Sequence, residues 1–192
     1  MPPKAKFNRE DIIEAAFVIS EEKGFSGITA RAVAKKLGCS VAPIYVNFAT
    51  IDELVEAVVR RVFAISEEML SDQQGENAFE NMGRASITFA QRYPVFLREL
   101  ILQPNPYMAS YENIELSMID ALSDDDALRN WNVPQRKRLL LKMRIFQIGM
   151  SVMVANGHLP SWFSDQTPDA LLTEAGDDFI LAQNARIKTK NG

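Results

Sequence analysis

The sequence predicts an all-α protein in which an N-terminal three-helix domain, containing a helix-turn-helix, is joined by a long helix to a larger C-terminal helical domain. Three observations predict it. Apolar residues recur at three- and four-residue spacing along the 192-residue chain, no segment alternates convincingly with period two, and Gly, Pro, Ser, Thr and Asn stand where helices should start and stop. A small module, residues 1–51, followed by one larger domain, residues 52–192, is the natural partition for a chain of this length.

Asn8 followed by Asp11 caps a first helix that carries Ile12, Ile13, Ala16, Phe17 and Ile19 to about Lys23. Thr29 stands where an N-cap is wanted, and Ala32, Val33 and Leu37 give the next helix an apolar face. Gly38 ends that helix, because the residue just past a helix end often turns left-handed and glycine does so without steric cost. Ser40 is expected to cap a very short helix in which Ile44 and Phe48 face inward. Val41, Ala42, Tyr45 and Val46 or Asn47 then point elsewhere. Pro43 falls in the first turn, where no intrahelical N–H bond is forfeited. Two helices packed across a three-residue turn, the second presenting its N-terminal residues, is the geometry that puts side chains on base edges in a major groove.

A fourth helix from Asp52 to about Leu70 carries Leu54, Val55, Val58, Val62 and Ile65 and is the expected connection between the domains. Gln73-Gln74-Gly75 breaks it. Asn77 starts a helix to about Tyr93, Val95 to Leu102 is a short helix stopped by Pro104-Asn105-Pro106, and Tyr107 to about Leu122 is helical again. A helical segment is expected at Ala127 to Trp131. Pro134 to Asn156 forms a helix that is apolar on nearly all sides in its second half, terminated by Gly157. Thr167-Pro168 supplies an N-cap and a first-turn proline for the last helix, through Leu171, Leu172, Ala175, Phe179 and Ala182.

Net charge is −4, but it is unevenly distributed. Lys4, Lys6 and Arg9 have no acidic residue among the first nine positions, and Arg31, Lys35 and Lys36 have none between Gly24 and Ile51, as suits phosphate-facing segments. Glu112, Glu115, Asp120 and Asp124-Asp125-Asp126 make the middle of the chain acidic. Neither a secretory h-region nor an apolar run of membrane-spanning length is present, and the one cysteine, Cys39, fits a reducing compartment; a cytoplasmic protein is expected. The single histidine, His158, has no second His or Cys to form a zinc set. No nucleophile elbow or phosphate loop occurs. Metal, cofactor and catalytic chemistry are therefore not expected.

Phe7 to Leu54 resembles the DNA-binding domain of the TetR/AcrR class of bacterial transcriptional regulators. The resemblance rests on Ile12-Ile13-x-x-Ala16-Phe17, Lys23-Gly24-Phe25, Thr29-x-x-x-Val33-Ala34-x-x-x-Gly38-Cys39-Ser40, Ile44-Tyr45-x-x-Phe48 and Glu53-Leu54. It implies that Thr29 and Tyr45 contact phosphate and that Ser40, Val41, Ala42 and Asn47 lie on the exposed part of the recognition helix. Val41, Ala42 and Pro43 can meet thymine methyls but make no bidentate bonds, which leaves Arg31 as the candidate for guanine. Where the family usually has a phosphate-touching lysine, this chain has Ile51.

In the C-terminal domain, Met82, Phe89 and Phe96, Met108, Tyr111 and Met118, and Met143, Phe146 and Met150 are candidates to line an adaptable apolar ligand pocket. Arg84, Arg92, Arg98 and Arg144 are candidates for an anion partner there. The resemblance implies that the last two helices pair with their symmetry mates, with Gly149, Val152, Ala155, Leu172 and Phe179 at the interface. The expected function is that of a homodimeric repressor, released from an inverted-repeat operator by a small-molecule ligand. A partner-binding adaptor of the same fold with weak DNA binding is the alternative, motivated by Ile51.

Overall fold

The computed structural model describes residues 7–75, 78–107, 119–120, 122–124 and 126–191, and no strand occurs among them. Among the described residues its helices include α1 (Arg9–Lys23), α2 (Ala30–Leu37), α3 (Ala42–Asn47), α4 (Ile51–Ser71), α5 (Ala78–Arg92), α6 (Pro94–Leu97), α7 (Val133–Ala155) and α8 (Pro168–Asn191). The all-α expectation is borne out. The helix expected from Tyr107 to about Leu122 falls mostly outside the described residues. At Ala127 to Trp131 the expected helix gives way to a 3-10 turn, Asp126–Leu128. The described residues fold as two compact units, one drawn from residues 1–67 and 93–108 and the other from residues 68–92 and 109–192.

In the first unit, Asn8 and Asp11 cap α1 reciprocally. The Asp11 N–H donates to Asn8 Oδ1 at 2.8 Å and the Asn8 N–H to Asp11 Oδ2 at 2.9 Å. The helix buries Ile12, Ala15, Ala16 and Phe17, and ends at Gly24, whose φ of 72° and ψ of 178° fall in a region open essentially to glycine alone. Short α6 packs on α1, delivering Tyr93 and Phe96 to Phe17 and Phe25. Phe96 is 1% exposed; its ring centroid is 5.3 Å from that of Phe17 and 5.7 Å from that of Phe25. Burying each such ring stabilises by about 1.5–3 kcal/mol. Residues 93–107 thus pack with the N-terminal helices, although sequence order groups them with the C-terminal domain.

The polypeptide beyond α6 closes on itself. A π turn, Arg98–Leu102, leaves carbonyls without helical partners, and Pro104 and Pro106 have no N–H to offer. Asn105 supplies the missing donor: its Nδ2 lies 2.9 Å from the Leu100 carbonyl, 3.0 Å from that of Gln103 and 3.2 Å from that of Glu99. Its Oδ1 accepts from the Tyr107 N–H at 3.0 Å, setting the Tyr107 ring edge-on to Phe25. Along α4, Leu54, Val55, Val58, Val59 and Val62 are buried, a continuous stripe at helical spacing.

In the second unit α5, α7 and α8 pack on one another around two apolar clusters. One joins Leu122, Leu128, Trp131, Leu139 and Met143; the other joins Ile87, Met150 and Leu172. Asn132 and Gln135 cap α7 reciprocally, and the Trp131 indole N–H donates to Asn184 Oδ1 at 2.8 Å, pinning the entry to α7 onto α8. The Ala170 N–H donates to Thr167 Oγ1 at 3.4 Å and Pro168 opens α8, as Thr167-Pro168 predicts. Among the described residues no helix is long and apolar enough to cross a membrane.

Candidate nucleic-acid interface

The two helices expected to face DNA are set by their ends. Thr29 Oγ1 accepts from the Ala32 N–H at 3.1 Å and starts α2. Gly38, at φ 67° and ψ 37°, is left-handed, and the next N–H, that of Cys39, returns to the Ala34 carbonyl at 3.0 Å. The short turn then delivers α3, but not through Ser40. Val41 occupies the N-cap at φ −71° and ψ −15°, with no side-chain cap bond, so Ser40 lies one residue too early and stays exposed. Pro43 sits in the first turn as expected.

Ile44 and Phe48 are buried at 0% and 1%, which fixes the roll of α3 and turns its other face outward. Val41 is 39% exposed, Tyr45 53% and Val46 76%, and Ala42 is exposed with them. Between Val46 and Asn47, Val46 is the outward residue. Asn47 is half-buried because its Nδ2 folds back onto the Pro43 carbonyl at 2.8 Å, the backbone partner one turn earlier. On α2, Arg31, Lys35 and Lys36 are exposed, as is Thr29 beside the helix start. The surface offers cations on one helix and an apolar, tyrosine-bearing face on the other.

Arg9, grouped by the sequence with the basic tail, is engaged within the fold. Nη1 donates to the Asn47 carbonyl at 2.6 Å, Nη2 pairs with Glu53 Oε1 at 2.9 Å, and the guanidinium lies 4.0 Å over the Phe48 ring. Glu53 Oε2 accepts from the Ala49 N–H at 2.9 Å. That backbone bond first, and Arg9 second, hold the Glu53 carboxyl below its ordinary range. Charge counting along the sequence carries no sign of a partner 44 residues away. Lys4 and Lys6 lie outside the described residues. Ile51 is half-buried at the start of α4.

The residues expected to line a ligand pocket are dispersed. Phe96 is packed among aromatic rings in the first unit. In the second unit, Met143 and Met150 belong to separate buried clusters, Phe146 packs against the Met150 cluster, and Met82 and Phe89 are half-buried on α5. Met108, Tyr111 and Met118 lie outside the described residues. Arg84 pairs with Glu80 at 2.5 Å and approaches Asp169 at 3.9 Å, and Arg98 pairs with Glu99 at 3.3 Å, so both cations have carboxylate partners.

Of the residues expected at a subunit interface, Leu172 is only 2% exposed within its own unit and Phe179 packs against the Met143 cluster, which leaves Leu172 no surface to offer a partner. Gly149 is exposed, Val152 and Ala155 half-buried. In line with Gly149 at four-residue spacing stand Ile145, 65% exposed, and Leu141, 58% exposed. Leu181 on α8 is exposed too. The apolar second half of α7 was the sequence signal for this face.

The family described as bacterial regulatory proteins, tetR family, has a sequence model that matches residues 12–58. No curated protein sequence matches the chain. Among solved structures, a TetR-like transcriptional regulator from Rhodococcus sp. RHA1 superposes with a TM-score of 0.63 at 17% identity, covering 96% of this chain and 99% of the other. A second transcriptional regulator, from Rhodococcus sp. Rha1, gives a TM-score of 0.54 at 18% identity, covering 91% and 94%. Both likenesses are of fold.

Proposed function

We propose that this member of the TetR family of bacterial regulatory proteins, a transcriptional regulator by virtue of its N-terminal helices, is a homodimeric cytoplasmic repressor that leaves an inverted-repeat operator when a small molecule binds. The observation that carries the reading is α3: a six-residue helix whose inner face is fully buried and whose outer face is Val41, Ala42, Tyr45 and Val46. In the major groove Val41, Ala42 and Val46 meet thymine methyls, the Tyr45 hydroxyl reaches phosphate, and Arg31 on α2 makes the guanine contact. Thr29, Ser40 and Pro43 complete the surface. The DNA-reading part is residues 1–51 and the regulatory part residues 52–192.

The dimer forms through α7 and α8. Leu141, Ile145 and Gly149 leave an apolar stripe that a monomer would expose to water, and a two-fold axis beside it presents the same stripe to itself. The ligand site lies within the second unit, where Met82 and Phe89, seven residues apart on α5, share one face. A ligand acts on DNA only through its different affinity for two conformations, and a coupling of about 1–3 kcal/mol loosens operator binding roughly 5–150-fold.

A gel shift with the DNA upstream of the protein's own reading frame, at fixed salt, tests the reading. A shifted band competed by the same duplex, and not by scrambled duplex, is the expected result. Equal competition by both would favour the adaptor.

A further inference from the structure

We propose that Arg9 and Glu53 are positioning residues that hold the C-terminal end of the recognition helix α3, and that Arg9 is not a phosphate contact; this rests on the DNA-binding reading above. α3 has six residues and no side-chain N-cap. A helix that short is unstable alone, and its last carbonyls carry partial negative charge without intrahelical partners. The Asn47 carbonyl, at the end of α3, takes a charged donor from Arg9 at 2.6 Å. The same guanidinium covers Phe48, the buried residue that closes the helix, at 4.0 Å. Its second nitrogen is fixed by Glu53 at 2.9 Å, and the other oxygen of Glu53 takes the Ala49 N–H at 2.9 Å.

Residues 47, 48 and 49 are therefore gripped in succession by one ion pair reaching from α1 to α4. The grip uses both terminal nitrogens and one face of the guanidinium, which a lysine cannot reproduce: its ammonium has no planar fork. Tyr45 and Val46 stand in the turn that this grip ends. A small rotation of that turn displaces the outer side chains from base edges while leaving the charge presented to phosphate unchanged.

The test uses the full chain and two duplexes: one enriched by wild-type protein from a randomised library, and a scrambled duplex of the same composition. Affinities are measured over a salt series for Arg9→Lys, Arg9→Met and Glu53→Gln, with amide exchange followed at Phe48 and Ala49. Arg9→Lys and Glu53→Gln are expected to lower the ratio of enriched to scrambled affinity at least about fivefold, since a well-placed base contact discriminates by that much or more. Arg9→Met should leave the slope of log affinity against log salt unchanged, and exchange at Ala49 should accelerate in all three. Partial unfolding lowers both affinities together and leaves the ratio alone. The proposal is overturned if Arg9→Lys keeps the wild-type ratio, or if Arg9→Met flattens the slope by about 0.9 per contact and weakens both duplexes equally. Wild-type protein that discriminates between no duplexes refutes the DNA-binding reading instead. In that event unchanged Ala49 exchange in Arg9→Lys and Glu53→Gln would remove the grip as well.

Discussion

Phe25 stacks on Phe96 with ring centroids 5.7 Å apart and planes 13° from parallel, joining the end of α1 to a segment reached only after the chain has built α5. Phe96→Ala removes the ring that Phe17, Phe25 and Tyr93 all touch. It should destabilise the first unit by about 3–5 kcal/mol, the usual cost of emptying a buried phenylalanine site. Denaturant unfolding followed by far-UV circular dichroism measures this. Both tryptophans, Trp131 and Trp162, belong to the second unit, so their fluorescence reports that unit separately. A loss under about 1 kcal/mol would mean that the aromatic cluster does not hold the first unit together.

The two left-handed glycines of the first unit should respond differently to asparagine. Gly38 has φ and ψ of 67° and 37°, a conformation asparagine tolerates, and a Cβ there meets nothing within 4 Å. Gly24 has ψ of 178°, and a Cβ would lie 2.9 Å from the Glu99 carboxyl. Gly38→Asn should cost less than about 1 kcal/mol, whereas Gly24→Asn should cost about 1–3 kcal/mol from backbone strain alone. Thermal unfolding of the two variants side by side decides it; equal losses would contradict the distinction.

Glu53 makes the protein acid-sensitive in a definable direction. Its carboxyl is held below the ordinary range by the Ala49 N–H and by Arg9, so the stability it gives is present above the ordinary carboxylate pKa and is lost as pH falls through the depressed one. Tyr107 has the opposite sense. Burial, then Asp52 and Glu56, raise its phenol pKa, so its contribution is complete below the ordinary tyrosine value and is lost at higher pH. Glu53→Gln should flatten the acid limb of the stability profile and Tyr107→Phe the alkaline limb. Unaltered limbs would show that these groups titrate alike in folded and unfolded chains.

Gly149 separates a packing effect within one chain from an effect between chains. A Cβ there meets nothing within 4 Å, so Gly149→Leu should not destabilise the protomer, and replacing a glycine inside α7 should raise its stability by up to about 1 kcal/mol. It should nevertheless weaken a dimer built on the stripe of Leu141, Ile145 and Gly149, as should Ile145→Lys. Sedimentation at micromolar concentration is expected to show a wild-type dimer and largely monomeric variants. A monomeric wild type would refute the interface.

The start and stop signals were legible because they are local. Asn8 with Asp11, Thr29, Gly38 and Thr167-Pro168 each act within a few residues, and each stands where it was expected. Ser40 misleads for an equally local reason, since Val41 already has helical dihedrals and takes the cap position without a side-chain bond. What the sequence hid is non-local. Phe96 reads as one more aromatic at helical spacing, and only its contacts with Phe17 and Phe25 remove it from the candidate pocket. Arg9 reads as part of a basic tail until Glu53 and the Asn47 carbonyl are seen beside it. Val46 and Asn47 were equivalent by periodicity, and the bond from Asn47 to Pro43 separates them.

Sequence-specific binding by α2 and α3 is the central claim, and selection from a randomised duplex library by the full chain at fixed salt tests it most directly. The predicted result is enrichment of an inverted repeat whose half-site centres lie about 34–36 Å apart, or a multiple of that. Arg31→Ala should then lose roughly 1–3 kcal/mol on the enriched duplex and relax preference at one base position, while Tyr45→Phe weakens all duplexes about equally. An unenriched pool, or an Arg31→Ala protein with the wild-type preference at every position, would contradict the account.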